Sequence, residues 1–170
     1  MSDRAGLNHI AGRSARIETA RLVIAPLGLA DAADLAAITD HPAIIDRIGF
    51  LAAPFGLDQA RALIASDPGF CGIRRAADGC LVGVAGAHES CEAVEIGYWI
   101  GPDHQRLGYA REAVAALLAS LNGTPVFAEC DPGNAISWRF LVSLGFYPTG
   151  EAGRRAGRQI LRYPANAPAD

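Results

Sequence analysis

The sequence predicts a single-domain α/β fold built on a mixed sheet, and three observations carry that prediction. Strand-like runs of hairpin type stand at both ends of the chain, helical patterns are interleaved between the later strands, and 170 residues suit one sizeable core. The composition agrees, since 51% of residues are hydrophobic and only 19% charged, as in a globular chain.

The elements follow in order. Residues 1–16 are polar and glycine-containing and the Pro/Ala-rich tail 165–170 is similar, so both are expected to be flexible, leaving 17–164 as the domain. Arg21 to Pro26 reads as a first strand closed by proline. Leu29 to Ile38 carries a helical pattern with Asp31 and Asp34 near its amino end, where carboxylates are favourable. Gly56 to Ser66 forms a second helix, stopped by Asp67-Pro68-Gly69. Phe70 to Arg75 and Cys80 to Ala87 are strands joined around Asp78-Gly79, a hairpin signal. Ala93 to Ile100 is a strand ended by Gly101-Pro102-Asp103. Ala110, Ala113, Val114, Leu117, Leu118 and Leu121 then make one continuous apolar stripe at helical spacing, stopped by Asn122-Gly123. Val126 to Cys130 is a buried-type strand, Asn134 to Leu144 a fourth helix, and Phe146 to Thr149 with Arg158 to Tyr163 two closing strands.

Charge and composition exclude several function classes. Fifteen basic against eighteen acidic residues give a net charge of -3, which offers no general attraction to nucleic acid or an anionic membrane. Every basic residue is arginine, which reads as coding composition and not as function. No stretch approaches about eighteen uninterrupted apolar residues, so no membrane span is expected. Cys71, Cys80, Cys91 and Cys130 form no C-x-x-C pair and have no histidine at ligand spacing, so no metal site and no disulfide framework is expected. With no signal-type apolar run near residue 1, a cytoplasmic location is expected.

Ile100 to Ala110 is the segment richest in chemical meaning: a strand ends, a short polar turn follows, and Gly108 sits at the mouth of the longest helix. The first N–H groups of a helix lack internal partners and carry partial positive charge, so they can receive a phosphate. Gly108 would let the backbone approach an anion closely, and Arg106 could add a formal charge. The same features also fit an ordinary strand-to-helix turn. Neither the dinucleotide nor the nucleoside-triphosphate glycine fingerprint is present.

Gln105-x-x-Gly108-x-Ala110 resembles the Q/R-x-x-G-x-G/A pyrophosphate loop of the GNAT (GCN5-related N-acetyltransferase) superfamily. Further pieces fall in order. Ile17 to Leu22 (IETARL) and Glu95 to Ile100 (EIGYWI) resemble segments of the ribosomal-protein-alanine acetyltransferase (RimJ/RimL-like) branch, as does Asn134-x-x-Ser137 followed by Leu144-Gly145-Phe146. The resemblance spans about residues 17 to 164.

What the resemblance implies is a mostly antiparallel sheet whose fourth and fifth predicted strands splay apart, with acetyl-CoA as co-substrate in the wedge. The backbones of Tyr98, Trp99 and Ile100 would pair with the pantetheine amides, Gln105, Arg106, Leu107, Gly108, Tyr109 and Ala110 would cradle the pyrophosphate, and Asn134 would bond the pantetheine arm. The reaction would be acetyl transfer to an amine in a ternary complex. The acceptor is left open between a protein N-terminus and a small amine, and the protein between monomer and homodimer.

That chemistry needs a base for an acceptor arriving as ammonium, and Glu95, on the strand face of Gly97 and Trp99, is the candidate. A glutamate there can equally be an ion-paired strand residue. The tyrosine that much of the superfamily carries seven residues after the asparagine is here Leu141, so Ser137, one turn earlier, is the candidate to bond the leaving thiolate. Its alternative is satisfaction of the helix backbone. Trp99 and Tyr98 also suit sheet packing, and His9, His41, His88 and His104 suit solvated positions. Arg154, Arg155 and Arg158 suit a solvated basic surface or a contact to an anion, and Phe50 and Phe55 would border the acceptor. Two other functions stay open: a non-catalytic acyl-CoA sensor, to which Leu141 points, and a nucleotide-binding domain.

Overall fold

The protein is described by a computed structural model, over residues 16–67, 69–90, 93–121 and 123–164. Of the two expected loose ends, only Arg16 falls within this range.

The chain runs β1 (Ile17–Glu18), β2 (Leu22–Pro26), α1 (Ala32–Thr39), α2 (Pro42–Ile45), α3 (Leu57–Ser66), β3 (Phe70–Arg75), β4 (Leu81–Glu89), β5 (Val94–Ile100), α4 (Tyr109–Ser120), β6 (Val126–Cys130), α5 (Ala135–Ser143), β7 (Tyr147–Ala152) and β8 (Gln159–Tyr163). The strands form one eight-stranded sheet in the order β1-β2-β3-β4-β5-β6-β8-β7. Every neighbouring pair is antiparallel except β5 and β6. The mixed, mostly antiparallel α/β domain is therefore as the sequence predicts.

Local chemistry explains the turns. Between β3 and β4, Gly79 takes φ +73°, and the Asp78 carboxylate accepts the Cys80 N–H at 3.1 Å while pairing with Arg75. The helical pattern from Leu29 divides: Leu29–Asp31 is a 3-10 turn, closed by the Asp31 N–H on Gly28 O at 2.9 Å and capped by Asp31 Oδ2 accepting the Gly28 N–H at 2.8 Å, and α1 begins after it. The sequence pattern misses α2, which depends on capping instead of an apolar stripe. His41 Nδ1 accepts the Ala43 N–H at 3.1 Å, and Pro42 stands in the first turn. It also misses β1, a two-residue edge strand on β2.

Two apolar layers sandwich the sheet. On one face α4 buries Tyr109, Ala113, Val114, Leu117 and Leu118, and α5 buries Leu141, against Ile96 and Ile100 of β5. On the other, Leu35 of α1, Ile44 of α2 and Ala60 of α3 pack on Phe70, Val84 and Trp99. Strand alternation thus sends the neighbours Tyr98 and Trp99 to opposite layers.

Candidate active site

The site begins where β5 and β6 part. They pair only at Val94↔Val126 and Glu95↔Phe127, although β5 continues to Ile100 and β6 to Cys130. Beyond Glu95 the edge of β5 facing β6 has no strand partner, while its other edge stays bonded to β4 as far as Ile100. Unpaired backbone donors and acceptors on a buried-type strand invite an extended ligand with amides of its own. Tyr98, Trp99 and Ile100 all lie on this free stretch. The Trp99 side chain is committed to packing: it is buried, and its indole Nε1–H donates to Thr39 Oγ1 at 3.1 Å.

At the end of the free edge lies the turn from Gln105 to Gly108, all of it exposed. Arg106 takes φ +62° and Gly108 φ +81°, and successive amides in such a turn form a concave anion-binding arc. No side chain caps α4, and its first turn is closed by the Glu112 N–H reaching Gly108 O at 3.1 Å, so the amides before it have no helical partner. A Cβ on Gly108 would stand 3.1 Å from Arg21 Nη2 as well as in an unfavourable φ. Gln105 turns inward, where its Nε2 donates to Ile100 O at 3.0 Å and completes the last carbonyl of β5.

This turn is braced from behind by Arg21, Thr19 and Glu112. Arg21 donates from Nη1 to Leu107 O at 2.9 Å and from Nε to Glu112 Oε2 at 2.7 Å, and its guanidinium lies 5.0 Å from the Tyr109 ring centre. Glu112 Oε1 also accepts from Thr19 Oγ1 at 2.6 Å and from the Arg21 amide at 2.8 Å. Partial burial alone would raise the Glu112 carboxyl, but these donors outweigh it and hold it below its ordinary value. The signal was present in Thr19-x-Arg21 at the start of the chain, whose partner is 91 positions away.

On the α4/α5 face the wedge is bordered by Tyr98, Ser137 and Cys130. Tyr98 Oη and Ser137 Oγ are 2.9 Å apart. Asn134 caps α5, its Oδ1 accepting the Ser137 N–H at 3.4 Å, so that one residue fixes the other. Leu141 is buried in the core and contributes no polar atom. Cys130 is a free thiol raised by burial, as is Cys71; Cys80 is also free, while Cys91 lies outside the described residues.

On the opposite face, Glu95 is 8% exposed and fully engaged: Arg154 Nη2 donates to Oε2 at 2.9 Å and Arg155 Nη1 to Oε1 at 2.6 Å. A second buried carboxylate, Glu129 of β6, accepts the amides of Arg154 and Arg155 at 2.9 and 3.2 Å and Arg155 Nη1 at 3.2 Å. Burial works to raise Glu129, but these donors prevail and hold it below the usual carboxylate range. The arginine cluster is therefore not the solvated surface it suits in sequence; it fastens the β7–β8 loop over the root of the wedge. Arg158 extends the fastening by donating to Arg47 O at 2.9 Å. Glu129 could not be singled out from the sequence, because its partners lie in a loop with no periodicity.

Gly97, next on the face of Glu95, has open space where a Cβ would stand. Phe50 is half exposed near it, stacked on Phe70 at 5.8 Å and edge-on to Trp99 at 6.5 Å. Phe55, by contrast, is buried in the core. A shallow depression of about 290 Å³ lies farther along this face, lined by Phe127, Glu129, Arg154 and Ile160 among others, away from the free edge of β5. Of the histidines, His41 serves as a helix cap and His88 Nε2 sits 3.0 Å from Asp67 Oδ2 without hydrogen-bond geometry; His9 is outside the described residues.

Among the described residues no helix is long and apolar enough to cross a membrane. No curated protein matches the sequence. Solved structures do resemble the fold. A GNAT-family acetyltransferase from Bacillus anthracis superposes with a TM-score of 0.74 at 20% identity, over 88% of this chain and 95% of that one. A ribosomal-protein-S5-alanine acetyltransferase from Vibrio fischeri gives 0.73 at 13% identity, over 90% and 98%. The microcin C7 self-immunity acetyltransferase MccE, solved with acetyl-CoA and AMP, gives 0.72 at 17%, over 85% and 92%. Residues 21–147, more than half of the sequence, match the model of the acetyltransferase (GNAT) domain. On that match the chain belongs to the GNAT family, and the protein is an N-acetyltransferase.

Proposed function

We propose that the protein transfers an acetyl group from acetyl-CoA to a primary amine, directly and within a ternary complex. The observation that carries this reading is the free edge of β5 leading into the uncapped turn before α4. A pantetheine arm needs amide partners along an extended path, and a pyrophosphate needs N–H donors and a close backbone approach at its end. The residues present fit both needs, and a Cβ at position 108 would crowd Arg21 behind the turn and strain the backbone that presents those N–H donors. In this reading Tyr98, Trp99 and Ile100 pair with the arm through their backbones, and the amides from Arg106 to Ala110 take the pyrophosphate. Gln105 holds the end of β5 in shape, and Asn134, beyond capping α5, offers its side-chain amide to the arm.

Bound acetyl-CoA supplies an activated thioester carbon. Holding an amine in line with it supplies much of the rate, and an N–H of the free β5 edge near Trp99 or Ile100 is placed to stabilise developing charge on the carbonyl oxygen. Glu95 receives the acceptor. Both its oxygens hold guanidinium groups, and an incoming ammonium displaces Arg154, the more exposed of the two at 64%, and gives its proton to Glu95 directly or through water. Ser137 bonds the departing sulfur. The acceptor is a protein N-terminus or a small-molecule amine; the motifs shared with the RimJ/RimL-like branch and the likeness to a ribosomal-protein acetyltransferase support the first.

A thermal-shift and CoA-release screen over amines and short peptides tests the whole. Stabilisation by acetyl-CoA with turnover on at least one amine is expected. Stabilisation by acetyl-CoA without turnover would instead favour a sensor, and stabilisation by ATP or NAD but not CoA would favour a nucleotide-binding domain.

A further inference from the structure

We propose that Tyr98 is a positioning residue that aims the Ser137 hydroxyl at the departing thioester sulfur, standing in for the tyrosine this chain lacks at position 141. The inference rests on the reading of Ser137 just given and adds a role for a side chain otherwise accounted for by packing.

The two hydroxyls come from opposite walls of the wedge, Tyr98 from β5 and Ser137 from the first turn of α5, and their oxygens are 2.9 Å apart. Each is fixed independently. The Tyr98 ring lies against Phe140 with centroids 5.0 Å apart, and the Ser137 amide is held by the Asn134 cap. Position 141, where a proton donor would be expected, is an alkyl side chain in the core. Either hydroxyl could donate on geometry alone, and acidity decides between them. A phenol is intrinsically a stronger acid, and so a stronger donor, than an aliphatic alcohol, and burial keeps the Tyr98 phenol protonated across the working pH range. With the phenol donating, the Ser137 oxygen is the acceptor and its own hydrogen points off the line joining them. The other neighbour of Ser137 is the neutral thiol of Cys130, a weak acceptor. A thiolate in the wedge is charged and accepts more strongly, so the Ser137 hydrogen turns to it.

The step balances without a proton leaving Tyr98. The amine lone pair forms the C–N bond, the C–S bond breaks with its electron pair passing to sulfur, and the second nitrogen proton goes to Glu95 on the opposite face, which has by then released the first, taken from the ammonium, to solvent. A thiol, with an ordinary pKa of about 8.5, is a far stronger acid than this phenol, so proton transfer from Tyr98 to the thiolate is uphill. Its part is orientation, and sulfur takes its proton from solvent on release.

The pKa of the bound CoA thiol tests this without knowledge of the acceptor. It is read from thiolate absorbance in the full-length protein saturated with CoA, against desulfo-CoA as reference. Tyr98→Phe and Ser137→Ala are each expected to lower the thiol's ionisation constant about three- to tenfold, with no further change in the double variant. A shift in Ser137→Ala but none in Tyr98→Phe would overturn the inference and leave the reading of Ser137 standing. No shift in either, with CoA bound, would overturn both, as would a wild-type protein that does not bind CoA. Should Tyr98→Phe not fold, 3-fluorotyrosine introduced at position 98 keeps the shape and strengthens the donor. It should raise the ionisation constant, and no change would overturn the inference.

Discussion

Arg155 Nη1 lies 2.6 Å from Glu95 Oε1 and 3.2 Å from Glu129 Oε2, so one cation joins β5 to β6 just where the two strands cease to pair. The splay that opens a binding edge would otherwise leave two buried carboxylates facing each other across its root. Arg154 and Arg155 neutralise them and tie down the β7–β8 loop in the same act, which links the shape of the wedge to the electrostatics of the acceptor side.

Replacing Glu95 by Gln should lower kcat/KM about 100-fold, the scale of a lost general base. The defect should be largest at low pH, where the acceptor is ammonium, and shrink as the amine deprotonates unaided. A pH–rate profile parallel to that of the wild type would remove Glu95 from proton transfer and leave it as an anchor for the two arginines.

Glu129 should act on stability instead of rate. Its carboxyl is held below its ordinary value in the folded protein, so it contributes stability above the unfolded pKa and loses it as pH falls through the lower folded value. Glu129→Gln is expected to cost about 1–3 kcal/mol at neutral pH, with the gap to wild type closing as pH drops below about 4. Denaturant unfolding at several pH values measures it, and a gap independent of pH would contradict the assignment.

Arg21→Ala should loosen the turn it braces. Losing its bonds to Leu107 O and Glu112 is expected to weaken CoA binding roughly three- to tenfold and to cost about 1–2 kcal/mol of stability. Calorimetric titration beside a thermal melt separates the two effects. Unchanged CoA affinity would show that the turn holds its shape without the brace.

Gly97→Val places a side chain where nothing stands within 4 Å of the new Cβ. Stability should stay within about 1 kcal/mol, as for ordinary substitutions in a strand, and CoA affinity should hold, while KM for the acceptor rises. A rise in the dissociation constant for CoA alone would mean that this space belongs to the co-substrate.

The framework was legible in the sequence because it is periodic. The Ala110 to Leu121 stripe, the Val126 to Cys130 run and the Asp78-Gly79 turn each announce a local structure, and the observed elements match them within a residue or two. The turn from Gln105 to Gly108 was legible for the same reason, as a glycine between a strand and a helix. What escaped was chemistry carried by pairs distant in the chain. Thr19 and Arg21 meet Glu112, Glu129 meets Arg154 and Arg155, and Tyr98 meets Ser137, each joined by packing that no local pattern encodes. The short helix α2 escaped because its cap is a histidine and its apolar stripe is too brief to register.

Gly108→Val tests the pyrophosphate arc, with binding of CoA and of pantetheine measured side by side. Gly108 sits at φ +81° with Arg21 behind it, so a branched side chain both strains the turn and pushes against the Arg21 brace, distorting the arc of amides meant for the pyrophosphate. CoA is expected to bind the variant at least about tenfold more weakly than wild type, while pantetheine, which has no pyrophosphate, binds equally to both. CoA binding the variant as tightly as the wild type would show that the amides before α4 do not hold its pyrophosphate.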